Sequence, residues 1–284
     1  MPSAPRAFQI LLTNFMQEPL EMKFNRCRTL LFYLLTSLSS DFLASEEPVM
    51  VAIDAGSYRA LYLTKDSEET QVDAFFIDQL PVSNEEFYKF VSEHTKWQKS
   101  RIPSVFAEEN YLGHWVNVIN QWQPDINDTD RPVIAVSWFA AKAYCESQNK
   151  RLPTVAEWEH VASASETSIR GSHDPDYNQV ILAWYGRPTT QRVGRRDQSV
   201  PNIWGVKDMH GLIWEWTEDF NSALVSGESR ADSNLDKGLF CGAGAAGSAD
   251  PSNYAAFMRF GFRSSLKADF SLSNLGFRCA SNGE

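Results

Sequence analysis

The chain has 284 residues, of which 43% are hydrophobic and 22% charged, a composition typical of a folded globular protein. Its formal net charge of −10 at pH 7 argues against a nucleic-acid partner, because phosphate binding requires a basic surface. No apolar run reaches the roughly 18 residues expected of a membrane span.

The N-terminal segment has the layout of a secretory signal peptide. A basic stretch at 22–28 precedes an apolar run over 29–38, and small residues follow before the acidic pair at 46–47. We therefore predict that residues 1–45 comprise an N-terminal extension and a signal peptide cleaved near residue 45. The mature protein would then lie in the periplasm with no membrane span. Met22 is a second candidate start, and a buried N-terminal helix is the structural alternative.

The next part of the chain is predicted to form short strands and one helix. Val49–Ile53 and Arg59–Leu63 are predicted strands, and Gln71–Ile77 is a third. Ser83-Asn84-Glu85-Glu86 has the pattern of a capping box, in which the serine hydroxyl and a glutamate carboxylate satisfy free backbone N–H groups. This pattern predicts a helix that runs to about His94.

The rest of the chain alternates irregular stretches with short elements. Residues 96–130 show no steady period and are predicted to be a long surface loop, and 133–136 a short strand. Helices are predicted from Ser137 to about Gln148 and, after a second capping box, from Thr154 to about Ser163. From Ala164 onward the only predicted regular elements are short strands. We expect one α+β domain.

Three groups of motifs resemble the formylglycine-generating (sulfatase-modifying) enzyme family. They are Lys150–Thr154 with Glu157-Trp158-Glu159, Trp214-Glu215-Trp216, and Asn274–Cys279. The resemblance implies a single domain over residues 46–284 with a C-type-lectin-like α+β fold and little regular secondary structure.

The cysteine pair of that family is missing. Its enzymes work through two cysteines five residues apart, and counting back from the closing motif places these positions at Asp250 and Ala255. Copper(I) prefers thiolates, and oxygen donors do not replace them. The resemblance therefore implies no copper by the cysteine route and no oxidation of a sulfatase cysteine. It also implies a disulfide between Cys145 and Cys279, which leaves Cys241 as either an inert or a reactive thiol.

His210 is a candidate catalytic residue because histidine exchanges protons near neutral pH. Glu215, Glu218 and Asp219 lie within nine residues of it, which predicts an acid–base cluster or part of a metal site. A hydrogen-bonded surface histidine is the alternative.

The segment that replaces the thiols carries oxygen and nitrogen groups instead. Asp250 and Tyr254 are predicted to form an acid–base pair, and with His210 they make up the candidate catalytic set. Ser252 and Asn253 are predicted to hydrogen-bond a polar ligand.

Further binding residues are predicted in the same region. The resemblance implies that Trp214 lines the active cleft and that Arg278 pairs with a buried acid. Arg259 and Arg263 are predicted either to be structural or to hold an acidic substrate.

The resemblance also bears on a structural calcium ion. Asp208 falls where the family has a ligand, but Gly211 is followed by Leu212 where the family has an asparagine, so one oxygen donor is missing. Calcium takes about six to eight oxygens. A weak calcium site at Asp208 and Gly211, or none, is expected; any other cofactor is unknown.

The resemblance is strongest to a cysteine-less, exported branch of the family. It implies a periplasmic role in maturation of the siderophore pyoverdine, by oxidation of the dihydropyoverdine chromophore precursor to the fluorescent form. The expected partner is this peptide-derived small molecule. The alternative is a non-catalytic accessory protein, such as a factor for nitrite reductase. An active family enzyme using Cys241 alone is disfavoured, because the partner thiol is absent.

Overall fold

The computed structural model describes most of the chain after the predicted signal peptide. The described residues are 49–58, 69–171, 174–187, 192–221 and 251–283, with the side chains of 175, 251–254 and 257 excepted. The predicted signal peptide, the expected strand Arg59–Leu63, Cys241 and Asp250 lie outside this part of the chain. Within it, no helix is both long and apolar enough to cross a membrane.

Two small antiparallel sheets open the domain. The first has the strand order β1-β4-β9, and the second pairs β2 with β3. These strands are β1 (Met50–Ile53), β2 (Gly56–Tyr58), β3 (Thr70–Val72), β4 (Phe75–Asp78) and β9 (Ala280–Ser281). The predicted strand 71–77 is therefore two strands, because the chain passes from one sheet to the other at 73–74.

The three predicted helices are confirmed. They are α1 (Asn84–Glu93), α2 (Trp138–Ser147) and α3 (Val155–Ala162). Both capping boxes are present: the Glu86 carboxylate accepts a 2.6 Å hydrogen bond from the Ser83 amide, and Glu157 does the same for Thr154 at 2.7 Å. The local signals that begin these helices act as predicted.

Residues 96–130 are only in part the predicted surface loop: many of them are exposed, but some are buried and some form regular structure. Tyr111, Leu112 and Trp115 are buried in the main core. The region contains a 3-10 turn, Thr95–Trp97, and a hairpin of β5 (Val116–Val118) and β6 (Gln121–Gln123). The strand predicted at residues 133–136 is not formed. Val133 is nevertheless fully buried, and its amide donates to Val82 O at 2.9 Å.

Two helices follow where only short strands were predicted, so that prediction is wrong. They are α4 (Pro175–Tyr185) and α5 (Pro251–Ser265), which pack against each other. Asp174 caps α4 by accepting from the Asp176 amide at 2.9 Å, with a proline in its first turn. Polar residues and Gly261 interrupt the apolar period of α5, which hid it from sequence inspection.

The closing motif ties the ends of the domain together. Strand β7 (Trp214–Glu215) pairs in parallel with β8 (Leu275–Gly276), which brings two of the motif groups side by side. The disulfide Cys145–Cys279 is present, with a Cα–Cα distance of 5.6 Å, and joins α2 to the chain end. These links fix the segment before β7 against the core.

Candidate functional site

Two cavities are bordered by the same two pieces of chain, the segment 208–214 and helix α4. The smaller, about 140 Å³, is here called the aromatic cavity. The larger, about 520 Å³, is called the acidic cavity. Gly211, Leu212 and Trp214 contribute to the first, whereas Asp208 and His210 contribute to the second.

Trp214 forms one wall of the aromatic cavity and is held in a cluster of rings. Its ring centroid lies 4.1 Å from that of Phe262 at an interplanar angle of 23°, and 5.2 Å from that of Tyr185 at 4°. Trp184 lies 5.3 Å away and lines the same cavity. Stacked rings stabilise one another beyond the area they bury, so the plane of the half-buried Trp214 is fixed before any ligand arrives.

Two arginines supply the polar side of the aromatic cavity. Arg187 and Arg192 both line it, and both are exposed. Arg192 also pairs with the carboxylate of Asp128. Guanidinium groups stack on rings and donate paired hydrogen bonds to oxygen. The cavity therefore suits a planar ring that carries oxygen substituents or negative charge.

A buried ion pair lies at the base of β7. The Glu215 carboxylate accepts hydrogen bonds of 2.8 Å from both Nε and Nη2 of Arg278, and one of 2.8 Å from the Trp158 indole. The prediction that Arg278 pairs with a buried acid is confirmed. Trp216 is also buried, and its indole donates to Val136 O at 2.8 Å. These contacts position the backbone that carries Trp214.

Arg259 and Arg263 pair with an internal acid, which fits the structural one of the two roles predicted for them. Arg259 donates to Glu159 from Nε at 2.8 Å and from Nη2 at 2.7 Å, and Arg263 donates to the same carboxylate at 2.5 Å. All three side chains are buried. Burial acts to raise the pKa of Glu159, but the two arginines lower it to about 2. The guanidinium groups are therefore committed to this internal acid.

His210 lines the acidic cavity. Its Nε2 lies 2.9 Å from Ala162 O, a group that can only accept, so Nε2 carries the proton. Nδ1 is then an acceptor, and it is buried without a hydrogen-bond partner among the described residues. Burial, aided by Arg259, lowers the pKa of His210 to about 4. The imidazole is neutral near pH 7.

The predicted acid–base cluster around His210 is not formed. Glu215 pairs with Arg278, Glu218 pairs with Lys142, and Asp219 accepts from the Val155 amide at 2.7 Å. Each carboxylate has a partner of its own, and the one hydrogen bond of His210 in the described structure goes to Ala162 O instead. Proximity in sequence did not translate into a shared site.

The segment that replaces the family cysteines is described in part. Asp250 lies outside the described residues, and Ser252, Asn253 and Tyr254 lie in α5 with backbone description alone. Their assigned roles remain predictions. Ala255, at the second cysteine position, is 1% exposed, and its methyl group offers no metal ligand.

The residues at the expected calcium position do not fit such a site. The Asp208 carboxylate accepts from the Asp197 amide at 2.7 Å and from the Ser199 amide at 3.3 Å. Over the described ranges, no group of three or more His, Cys, Asp or Glu residues is arranged to hold a metal ion. Asp208 anchors a turn, and Gly211 supplies a positive φ of 94° beside it.

The acidic cavity was not predicted. Glu166, Asp174 and Asp176 line it together with apolar residues of α4 and of the segment 199–210. These stretches are separated in sequence, and no motif joins them. Recognising α4 would have been the first requirement for finding the cavity.

The chain belongs to the family of the sulfatase-modifying factor enzyme 1-like domain, whose profile matches residues 37–283. The family and the fold class predicted from the motifs are thereby confirmed. Formylglycine-generating enzyme of Mus musculus is 29% identical over 263 residues, covering 74% of this chain and 67% of that protein. The enzyme of Bos taurus is 30% identical over 260 residues, covering 74% and 66%. This chain spans about two thirds of the length of these relatives.

Another relative aligns with this chain over most of the length of both proteins. Inactive C-alpha-formylglycine-generating enzyme 2 of Mus musculus is 27% identical over 303 residues, 89% of this chain and 92% of its own. Among solved structures, CarF is similar at 14% identity and a TM-score of 0.47, covering 84% of this chain and 99% of CarF. PvdO from Pseudomonas aeruginosa is similar at 16% identity and a TM-score of 0.42, covering 83% and 95%.

Proposed function

We propose that this protein acts in siderophore maturation in the periplasm, where it holds a peptide-derived aromatic precursor against Trp214 while the chromophore is oxidised. For dihydropyoverdine, the precursor loses two electrons and two protons. Dioxygen is the proposed acceptor and is reduced to hydrogen peroxide. The role of the protein is to bind and orient the ring.

The aromatic cavity is the observation that carries this proposal. A cavity near 140 Å³ admits about one benzene-sized ring. Trp184 and Trp214 offer the ring an apolar wall, and Arg187 and Arg192 offer donors to its oxygen substituents. An oxygen-substituted ring joined to a peptide matches this combination.

The lost thiols support a reaction different from that of the formylglycine-generating relatives. Ala255 is buried and carries no sulfur, and Asp250 replaces the other cysteine. The soft ligands that copper(I) requires are therefore missing from both positions.

Export is supported by two features. The basic, apolar and small-residue layout before residue 46 is typical of a signal peptide. The Cys145–Cys279 disulfide is of the kind that persists in oxidising compartments.

The test uses the mature chain, from residue 46, and the non-fluorescent precursor in air-saturated buffer. We expect the wild-type chain to accelerate the appearance of fluorescence. Trp214→Ala should lower kcat/KM about tenfold or more, since stacking on a ring contributes about 1–3 kcal/mol. Trp122→Ala, in the hairpin away from the aromatic cavity, is the matched control and should keep the wild-type rate. Equal rates for Trp214→Ala and wild type would overturn the site.

A non-catalytic accessory role is the second candidate. It is favoured by the relative named as inactive, which aligns over most of both chains. Gene deletion separates the two functions. Accumulation of a non-fluorescent precursor supports oxidation, whereas normal siderophore with impaired nitrite reduction supports the accessory role.

A further inference from the structure

We propose that the acidic cavity is a second binding site, which takes an ammonium or guanidinium group on an apolar stem, such as the basic side chain of a peptide. This inference rests on the cavity itself and does not depend on the proposed oxidation. The residues that line the acidic cavity are different from those that line the aromatic cavity.

The size and walls of the acidic cavity fit an organic ligand. Its volume of about 520 Å³ falls in the usual range for small-molecule sites. Ile181, Val206 and Met209 give it an apolar interior. Val180 and Val200 also line it and are 68% and 64% exposed, so the apolar surface continues out to solvent. An alkyl stem would cover these groups.

The charge of the lining selects a cation. Four acidic residues contribute carboxylates: Glu166, Asp174, Asp176 and Asp208. No lysine or arginine is among the described residues that line the cavity. The buried arginine that lies near His210, Arg259, is held by Glu159. An anionic ligand would therefore meet repulsion, and a cationic one attraction.

His210, which lines the cavity, adds a hydrogen-bond acceptor. His210 donates from Nε2 to Ala162 O, which leaves the lone pair of Nδ1 without a partner in the described structure. A buried acceptor without a donor is unfavourable, and an N–H group of a ligand would satisfy it. A divalent metal ion fits less well, because among the described residues no three His, Cys, Asp or Glu side chains are arranged to hold one.

The test measures binding to the whole mature chain by titration calorimetry and by amide chemical-shift changes. The probes are Nα-acetyl-lysine methylamide and its norleucine counterpart, which has the same stem without the charge. We expect the lysine probe to bind about tenfold more tightly or better, with shifts confined to residues around the acidic cavity. Equal binding of the two probes, or shifts elsewhere, would overturn the proposal. A third probe, 1,5-diaminopentane, distinguishes a free amine from a peptide side chain as the preferred source.

Matched variants locate the site. Glu166→Gln with Asp176→Asn should weaken the lysine probe about tenfold, whereas Glu93→Gln with Glu109→Gln, exposed acids elsewhere, should leave its affinity unchanged. Asp174 is left intact because it caps α4. Thermal melts establish that each variant is folded. Unchanged affinity in a folded Glu166→Gln, Asp176→Asn chain would contradict the assignment. The Trp214→Ala variant should bind the lysine probe with wild-type affinity. A failure of the proposed oxidation can therefore be told apart from a failure of this second site.

Discussion

Glu215 and Arg278 form an ion pair that is held by two hydrogen bonds, and both side chains are completely shielded from solvent. The pair joins β7 to the segment after β8 and connects two motif groups about 60 residues apart. The Trp158 indole adds a third hydrogen bond to the same carboxylate. The orientation of Trp214, next to Glu215, thus depends on a contact made in the core.

Replacing Glu215 tests how much this buried pair contributes to stability. Glu215→Gln leaves the Arg278 charge buried without its counter-ion and should lower the free energy of unfolding by about 3–5 kcal/mol. The matched control is Glu218→Gln, whose pair with Lys142 is about one-third exposed and contributes about 0–1 kcal/mol. Urea unfolding of both variants measures the difference. Similar losses of unfolding free energy in the two variants would mean that the buried pair contributes no more to stability than the partly exposed pair.

Gly276 makes the closest backbone approach in this region. An added Cβ would lie 2.2 Å from Val133 O and 2.8 Å from the Cδ1 of Ile213. Gly276→Ala should therefore cost about 3 kcal/mol or more. Gly261→Ala, in α5 with no atom within 4 Å of the new methyl group, should instead stabilise the protein by about 0.5–1 kcal/mol. A tolerated Gly276→Ala would contradict the observed packing of β8.

The pH dependence of stability should reflect the half-buried, neutral side chain of His210. The pKa of His210 is about 4 in the folded protein and ordinarily 6.5, so the unfolded chain binds the proton more tightly. The free energy of unfolding is then at its full value above about pH 6.5. It falls as the pH drops towards about 4, by up to about 3 kcal/mol. His210→Gln keeps a donor for Ala162 O and should flatten this slope. His114, whose pKa burial also lowers to about 4, should account for a remaining slope.

The measurement is urea unfolding of wild type, His210→Gln and the double variant with His114→Gln across that pH interval. An acid slope that is identical in all three proteins would show that neither imidazole is its source.

The disulfide should dominate the response to reductant. It closes a sequence separation of 134 residues, and its loss should cost about 4–5 kcal/mol in the chain-entropy model. The double variant Cys145→Ala, Cys279→Ala should melt at the same temperature as the reduced wild-type protein, and reductant should not change its melting temperature. Cys241→Ser serves as control and should keep the wild-type response. Insensitivity of the wild type would mean that the bridge is not formed in solution.

Local signals in the sequence were sufficient for part of the fold. The helices begun by Ser83 and Thr154 follow from their capping boxes, because a cap is decided by neighbouring residues. The family motifs indicated the fold class and the pairing of Arg278 with a buried acid. The disulfide between Cys145 and Cys279 also followed from the resemblance.

Features that depend on tertiary packing were not predictable in the same way. The interrupted apolar pattern of α5 hid a helix that packing against α4 stabilises. His210 was expected among nearby carboxylates, yet those groups pair with partners distant in sequence, such as Lys142 and Arg278. The acidic cavity is formed by three separate stretches, so no local pattern could indicate it.

The most direct test of the central claim is conversion of the dihydro precursor by the copper-free mature chain in the presence of a copper(I) chelator. We expect fluorescence to appear at an accelerated rate that the chelator does not change, and that rate to fall about tenfold in Trp214→Ala. The claim would be contradicted by activity that is lost with the chelator and restored by copper(I). It would also be contradicted by a Trp214→Ala chain that is as fast as the wild type.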